Sequence, residues 1–326
     1  MKIFKNLILI TTIILLFSGC NGNNHIIAGN AFGTIFYIEL KGYDDNLDLK
    51  KIHLGINNII DNIDNSASNY KENSEISEFN FSNKLIKQFS KHLFLIIKKA
   101  MYASERTDGF FDITIGDIKI RKGFYQSPVK VPNNRKNNFN YKNIVLLNEK
   151  NMKKRNNKNI IIDLSGIAKG YAVDLIYNFL DDKNISDFTI NIGGEIRIKT
   201  SNEITTIAID DPSRVNKFIE NVNLPNTYSI ASSGTYNNTI KYKNNNISHI
   251  INPKDLSNKE QKNLLVSVVH NECAIADAIA TGLIAMDVKD IINFSNKNNI
   301  ASMLIISNDS HTKKYYSKKF LKYIEN

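Results

Sequence analysis

Tryptophan is absent from this 326-residue chain, and only two cysteines and five prolines are present. Two cysteines, Cys20 and Cys273, exclude a disulfide framework. Cys273 lies beside a small-residue apolar stretch, which suits a buried and inert thiol. Arginine is also scarce: 36 of the 42 basic residues are lysine, spread among asparagine and isoleucine as in a composition-biased genome. A nucleic-acid surface would cluster arginine with interleaved aromatics, so the net charge of +10 does not imply a nucleic-acid partner. Attraction to anionic lipid fits it better. A membrane-spanning run is missing too. Leu7 to Phe17, interrupted by Thr11 and Thr12, is shorter than the roughly 20 apolar residues a bilayer span needs.

That short run has Lys2 and Lys5 before it and Ser18-Gly19-Cys20 after it, the layout of a signal peptide. Its ending resembles a bacterial lipobox, with Phe17 where leucine is usual. The resemblance implies a signal peptide over residues 1–19, a lipid on Cys20, and an exported protein anchored to a membrane. An uncleaved anchor or ordinary secretion is the alternative. Asn21 to Asn24 read as a polar tether, residues 20–29 as lipidated cysteine and tether, and 30–326 as the folded body. A body of about 300 residues can bury a large core.

Along that body, Ala31–Leu40 reads as a strand entered through a glycine turn. Leu49, Ile52, Ile56, Ile59, Ile60 and Ile63 predict a helix. A second helix is expected over Phe89–Ala103, stopped by Thr107-Asp108-Gly109. Residues 129–158 read as a surface excursion with a short strand near Ile144–Leu147. Ile160–Leu164 reads as a strand leading through Ser165-Gly166 into a helix over Ile167–Leu180. Strands are expected at Thr189–Ile198, Thr205–Asp210, Tyr228–Ala231, His249–Ile251, Leu264–Val269 and Ile300–Ile306, with a helix over Ala274–Met286. Many strands with a few long helices, without clean alternation, indicate an α+β fold.

Several short constellations carry chemistry. An aspartate in the apolar stretch Ala276-Asp277-Ala278-Ile279-Ala280-Thr281-Gly282 is costly unless paired or holding a cation. Asp277 and Thr281, four apart on one helical face, are hard oxygen donors suited to Mg²⁺; alternatively Asp277 caps the helix and Thr281 bonds back to a carbonyl. Asp163-Leu164-Ser165-Gly166-Ile167-Ala168-Lys169-Gly170 sets a glycine turn and a lysine at a helix start. Such a turn can take phosphate oxygens or can be ordinary packing, and it lacks the Walker spacing. Phe110, Phe111 and Asp112 follow the Gly109 turn, where the rings suit a flat ligand and the acid its polar edge, or the pair belongs to the core. Tyr70 can stack on a ring or cover a helix end. The glycine turns at Asn191–Glu195 and Ala231–Gly234 let backbone approach a ligand. His249, beside the Asn252-Pro253 turn, is either structural or a base.

The order of these motifs resembles the FAD:protein FMN transferases, the ApbE-type flavin transferase family, over about residues 30–287. Phe32-Gly33-Thr34 is similar to that family's Met-Gly-Thr. Ser68–Asn80 resembles its S-x-Y-x-x-x-S-E-[IL]-S-x-[LF]-N, and Gly109–Asp112 its G-[AG]-F-D. Asp163–Gly170 resembles D-L-[GS]-[GS]-I-A-K-G, Asn191–Gly194 N-[LI]-G-G, and Ser232–Gly234 T-S-G. His249–Pro253 resembles H-I-[IL]-D-P, and Asp277-Ala278 with Thr281 resembles D-A-x-x-T. The departures are Phe32 for methionine, Phe110 for a small residue, Asn252 for aspartate, and Lys254-Asp255-Leu256 where Arg-Thr-Gly is usual.

The resemblance implies an α+β, T-fold-like body of mixed sheets with packed helices and a flavin cleft. It implies that Phe32, Tyr70, Phe110, Phe111, Asp112, Asp163, Lys169 and Ile251 surround FAD, and that Asp277, Thr281 and the carbonyl of Gly166 or Ala280 hold Mg²⁺. It supports His249 as the base for a threonine or serine hydroxyl of an apo-flavoprotein, which would take FMN and release AMP. Two other readings keep the same residues: a Mg²⁺-dependent FAD pyrophosphatase, and a flavin-binding lipoprotein without turnover.

Overall fold

The computed structural model describes residues 24–125, 139–155, 160–214, 217–236, 239–242, 245–258, 263–307 and 311–324. Cys20 and the signal-like segment lie outside the described residues, as does much of 129–158. The body starts with strands β1 (His25–Ala31) and β2 (Thr34–Lys41), then helices α1 (Leu49–Ala67) and α2 (Glu75–Phe81). Strand β3 (Ile86–Gln88), α3 (Lys91–Arg106), α4 (Gly116–Lys122), β4 (Ile144–Leu146) and β5 (Asn151–Lys154) follow. Next come α5 (Ala168–Asp182), β6 (Asp187–Ile192), β7 (Glu195–Lys199), β8 (Ile204–Asp210), β9 (Phe218–Pro225) and β10 (Ser229–Gly234). The chain closes with β11 (Thr239–Tyr242), β12 (Asn245–Ser248), β13 (Leu264–His270), α6 (Cys273–Ala285), α7 (Ile291–Lys297), β14 (Ala301–Ser307) and β15 (Thr312–Tyr316).

Eight strands form the main sheet in the order β1-β2-β6-β7-β10-β13-β14-β15, and each neighbouring pair is antiparallel. Side chains alternate between its faces. Ile27, Phe36, Ile38, Ile190, Val266 and Val268 join the core beneath α1, α3, α5 and α6. Ile196, Ile198, Ile230, Leu265 and Met303 face the other way, packed with Val222 and Leu224 of the β8–β9 hairpin and with Phe320 and Tyr323. The result is helices, sheet and hairpin in three layers, an α+β body whose several sheets differ in size rather than in strand direction. The expected helices form, and α1 and α3 start at Asp48 and Ser90, whose side chains accept from Lys51 N–H and Leu93 N–H. Among the described residues no helix is long and apolar enough to cross a membrane.

Four expectations are corrected. The body begins at His25 rather than residue 30, because His25–Ala31 pairs along its whole length with β2. Thr189–Ile198 is a hairpin, reversed at Gly193-Gly194, rather than one strand. Ile160–Leu164 is extended but is not a strand, since side-chain amides take its backbone groups. Asn80 Oδ1 accepts from Ile162 N–H at 2.7 Å, Asn69 and Asn80 both donate to Ile162 O, and Asn69 Oδ1 accepts from Leu164 N–H at 3.0 Å. His249–Ile251 also leaves the strand pattern: β12 ends at Ser248, whose hydroxyl accepts from Ile250 N–H at 3.2 Å, and Ile251 makes a single bridge to Asn258.

Candidate active site

One end of the main sheet is built from tight turns, and a cavity of about 700 Å³ opens there. That size suits a small-molecule or cofactor site, typically about 300–1,000 Å³. Phe32 and Gly33 connect β1 to β2 with φ values of 51° and 75°, the two left-handed residues a two-residue hairpin turn requires. Phe32, a large side chain in that conformation, sits on the cavity wall. The β6–β7 turn contributes Gly193, and the end of β10 contributes Ser232, Ser233 and Gly234.

Helix α6 brings the buried Asp277 to the cavity, together with Thr281 one turn later. Asp277 does not cap its own helix, because Glu272 holds the N-cap position. Its Oδ2 accepts from Gly170 N–H at 3.1 Å, at the start of α5, and lies 3.7 Å from Lys169 Nζ. Lys169 also pairs with Glu195 at 3.1 Å, so one ammonium is shared by two buried carboxylates. Burial opposes the charge on Lys169, but the Asp277 and Glu195 charges outweigh it and raise its pKa. Burial, opposed by Lys169 and reinforced by Asp277, pushes Glu195 up to about 8. Burial likewise raises Asp277 against the pull of Lys169 and the Gly170 N–H.

Gly166 completes this corner. A Cβ there would lie 3.0 Å from Thr281 Oγ1 and 3.1 Å from the Phe111 ring, so a larger residue would have to push the hydroxyl and the ring aside. Thr281 Oγ1 is 3.1 Å from Ser233 Oγ. Asp277 brings a carboxylate and Thr281 a hydroxyl to the cavity, hard oxygen donors with one acid between them, and Mg²⁺ is commonly held by one or two carboxylates plus substrate phosphates and water. Among the described residues no three His, Cys, Asp or Glu side chains gather as a metal cluster. Ala280 lies inside α6, where its carbonyl belongs to the helical hydrogen-bond pattern, and it does not line the cavity.

Asp163, also on the cavity lining, is buried, with Oδ2 2.5 Å from Lys119 Nζ and Oδ1 accepting from Ser165 N–H. Burial alone would raise its pKa, but Lys119 and the Tyr125 and Ser165 donors bring it below the ordinary value. Lys119 also donates to Ser165 Oγ at 3.0 Å. Tyr70 stands at the rim, 71% exposed, edge-on to the buried Tyr125 ring at 5.1 Å. Phe110 and Phe111 line the wall beside Gly166, with Lys254 Nζ 5.3 Å from the Phe110 ring centroid. Asp112 reaches the cavity, but its Oδ1 accepts from Thr114 N–H and hydroxyl and its Oδ2 from Tyr141 N–H. Its carboxylate therefore fixes two chain segments rather than offering a free polar edge.

His249 and Ile251 line the cavity too. The turn after them carries the odd residues of the sequence reading. Asn252 Oδ1 accepts from Lys254 N–H at 2.9 Å, a role an amide oxygen fills as a carboxylate would. Leu256 has φ 63°, so leucine adopts the left-handed conformation that glycine would take without penalty. Its carbonyl accepts from Lys122 Nζ at 2.9 Å.

The ApbE family profile matches residues 32–304. The chain belongs to the ApbE family. It is similar to the FAD:protein FMN transferase of Vibrio cholerae, 28% identical over 97% of this chain and 98% of that protein. It is also similar to the FAD:protein FMN transferase of Buchnera aphidicola, 28% identical over 91% and 90%. Among solved structures, the flavin transferase ApbE from Vibrio cholerae superposes with a TM-score of 0.77 at 26% identity, covering 93% of this chain and 99% of that one.

In this ApbE-family body the cavity gathers Phe32, Tyr70, Phe110, Phe111, Asp112, Asp163, Gly166, Lys169, His249, Ile251, Asp277 and Thr281, while Ala280 stays apart. The sequence reading missed Glu195, Lys119, Tyr125 and Ser233 as cavity residues. Glu195 and Ser233 lay inside quoted motifs. The signal for Glu195 was its place in Glu195-Ile196-Arg197-Ile198, where either the charged or the apolar face must be buried. Lys119 and Tyr125 belong to no motif and reach the cavity only through tertiary folding.

Proposed function

We propose that this chain is a Mg²⁺-dependent FAD:protein FMN transferase that moves FMN from FAD onto a threonine or serine of an exported or membrane flavoprotein, releasing AMP. The carrying observation is that one cavity joins the Asp277–Thr281–Gly166 oxygen corner to aromatic walls and His249, in an ApbE-family chain whose relatives bear that name. The donor set fits Mg²⁺, with Asp277 and Thr281 supplying side chains and Gly166 a carbonyl. Bound there, the ion would offset charge on the pyrophosphate and on the departing AMP. The α5 start fixes Asp277 through the Gly170 N–H, and Lys169 keeps a positive charge beside the acid. Phe32, Tyr70, Phe110 and Phe111 offer ring surfaces for the flavin, and Ile251 adds an apolar contact. Asp163, already paired with Lys119, orders the turn that presents Gly166. His249 takes the proton of the acceptor hydroxyl as its oxygen bonds to the FMN phosphorus and the bond to the AMP oxygen breaks.

Cys20, carrying lipid, would keep this chemistry at the membrane where exported apo-flavoproteins appear. A hydrolytic turnover at the same site, with water in place of the acceptor hydroxyl, is the second reading. Incubation with FAD, Mg²⁺ and a candidate acceptor tests both. AMP release with covalent flavin on the acceptor supports transfer, AMP with free FMN supports hydrolysis, and neither product rejects the proposal. His249→Ala at full rate across the pH range would remove the base assignment.

A further inference from the structure

The β1–β2 hairpin carries an apolar stripe on its outward face. Ile26, Ile35 and Tyr37 are 65%, 50% and 53% exposed. The register sets Glu39 opposite Ile26, Tyr37 opposite Ala28 and Ile35 opposite Asn30, so these large side chains succeed one another along one face. Deeper in the sheet, the same face is covered by the β8–β9 hairpin and the C-terminal aromatics. The stripe ends at Glu39, whose charge is met by Lys41 at 3.0 Å.

Exposed apolar side chains gathered on one face near a sheet edge favour unwanted association unless something covers them. What precedes β1 indicates the cover. His25 follows Cys20 by five residues, a stretch that reaches at most about 18 Å when fully extended. A lipid on Cys20 would hold a bilayer surface within that distance of His25, and within about 22 Å of Ile26. Tyrosine and aliphatic side chains suit the headgroup boundary, and acyl anchors attach stably when a second contact joins them.

The geometry points to a hairpin that lies along the membrane surface, with Ile26, Tyr37 and Ile35 at the boundary between headgroups and acyl chains. The inference rests on lipidation of Cys20 and goes beyond it, because a flexible tether alone sets no orientation. The Phe32–Gly33 turn at the hairpin's far end lines the cavity, so this posture brings the cavity rim to the bilayer. Acceptor hydroxyls close to the membrane surface would then be within reach.

The absence of tryptophan makes a clean probe available. Full-length lipidated protein carrying Tyr37→Trp is reconstituted on phosphatidylcholine–phosphatidylglycerol vesicles containing brominated acyl chains. Tyr315→Trp on β15, at the opposite edge of the sheet and six strands from β2, about 29 Å away by strand spacing, is the control. The expected result is blue-shifted, bromine-quenched emission for Tyr37→Trp at a depth of about 5–10 Å, and unquenched emission for the control. Adding Ile26→Asp and Ile35→Asp should remove the quenching while the protein stays on the vesicles. Attached protein with water-like emission at position 37 overturns the orientation and leaves the anchor standing. Blue-shifted but unquenched emission means that a second copy covers the stripe, which also overturns it. Protein that does not sediment with vesicles overturns the anchor and the orientation together.

Discussion

Gly170→Ala is expected to damage stability and metal use together. The new Cβ would lie 2.5 Å from the Cys273 carbonyl oxygen, 2.7 Å from its carbon and 2.8 Å from Ala274 Cα, all backbone of α6. No rotamer relieves such a contact, so α5 and α6 must separate. Overpacking of this kind costs about 1–3 kcal/mol. Separation also stretches three bonds that tie the helices: Gly170 N–H to Asp277 Oδ2, and Cys273 and Ala274 N–H to the Asp174 carboxylate at 2.9 and 3.0 Å. Bonds to charged groups contribute about 1.5–3 kcal/mol each, and weakening them partly brings the expected loss to about 3–5 kcal/mol. Urea unfolding followed by far-ultraviolet circular dichroism measures it, since no tryptophan is available for fluorescence. The displaced Asp277 should also raise the Mg²⁺ concentration needed for half-maximal turnover. A variant within about 0.5 kcal/mol of the parent, with an unchanged Mg²⁺ requirement, would refute the idea that this helix contact sets the metal corner.

Removing Arg197 with Arg197→Met should cost about 3–5 kcal/mol, because the buried Asp174 loses the cation 2.5 Å away and keeps only the Cys273 and Ala274 N–H donors. Adding Asp174→Asn should recover part of the loss in a double-mutant cycle. Burial, with the Lys319, Lys99, Arg106 and Arg197 charges, lowers His270 to about 4, and its Nδ1 accepts from Glu272 N–H. The folded pKa lies below the unfolded value near 6.5, so the stability tied to neutral His270 is complete above pH 6.5 and declines as pH falls toward 4. The decline is about 2 kcal/mol between pH 7.5 and 5, and His270→Gln should remove that slope from urea midpoints measured across the range. Leu256→Gly should stabilise the fold by about 1 kcal/mol in the same assay, by relieving the left-handed leucine at φ 63°.

Much of the scaffold was legible because its signals are local. Ile52, Ile56, Ile60 and Ile63 are all buried on the predicted face of α1. Ile160–Leu164 was misread because its β-branched run looks like a strand, whereas Asn69 and Asn80, more than eighty residues earlier, occupy its backbone groups. Charge was the hardest signal to interpret. Glu195, Arg197 and Lys199 alternate along β7 as a solvent face would, yet they meet Lys169, Asp174 and Asp181 of α5 in three successive ion pairs. Partners on two elements that are distant in sequence turn an apparent surface into an interface. The cavity motifs were readable because each is a turn or helix start with its own residue chemistry. The Lys119–Asp163 pair joins one motif residue to one outside every motif, and only the fold brings them together.

In-gel flavin fluorescence of an acceptor flavoprotein after incubation with FAD and Mg²⁺, comparing the parent with Asp277→Ala, tests metal-dependent transfer at this site most directly. Circular dichroism checks that the variant remains folded. The parent should give a fluorescent acceptor and stoichiometric AMP, lost on chelation of Mg²⁺, and folded Asp277→Ala neither product. Equal acceptor labelling by the two proteins would contradict it.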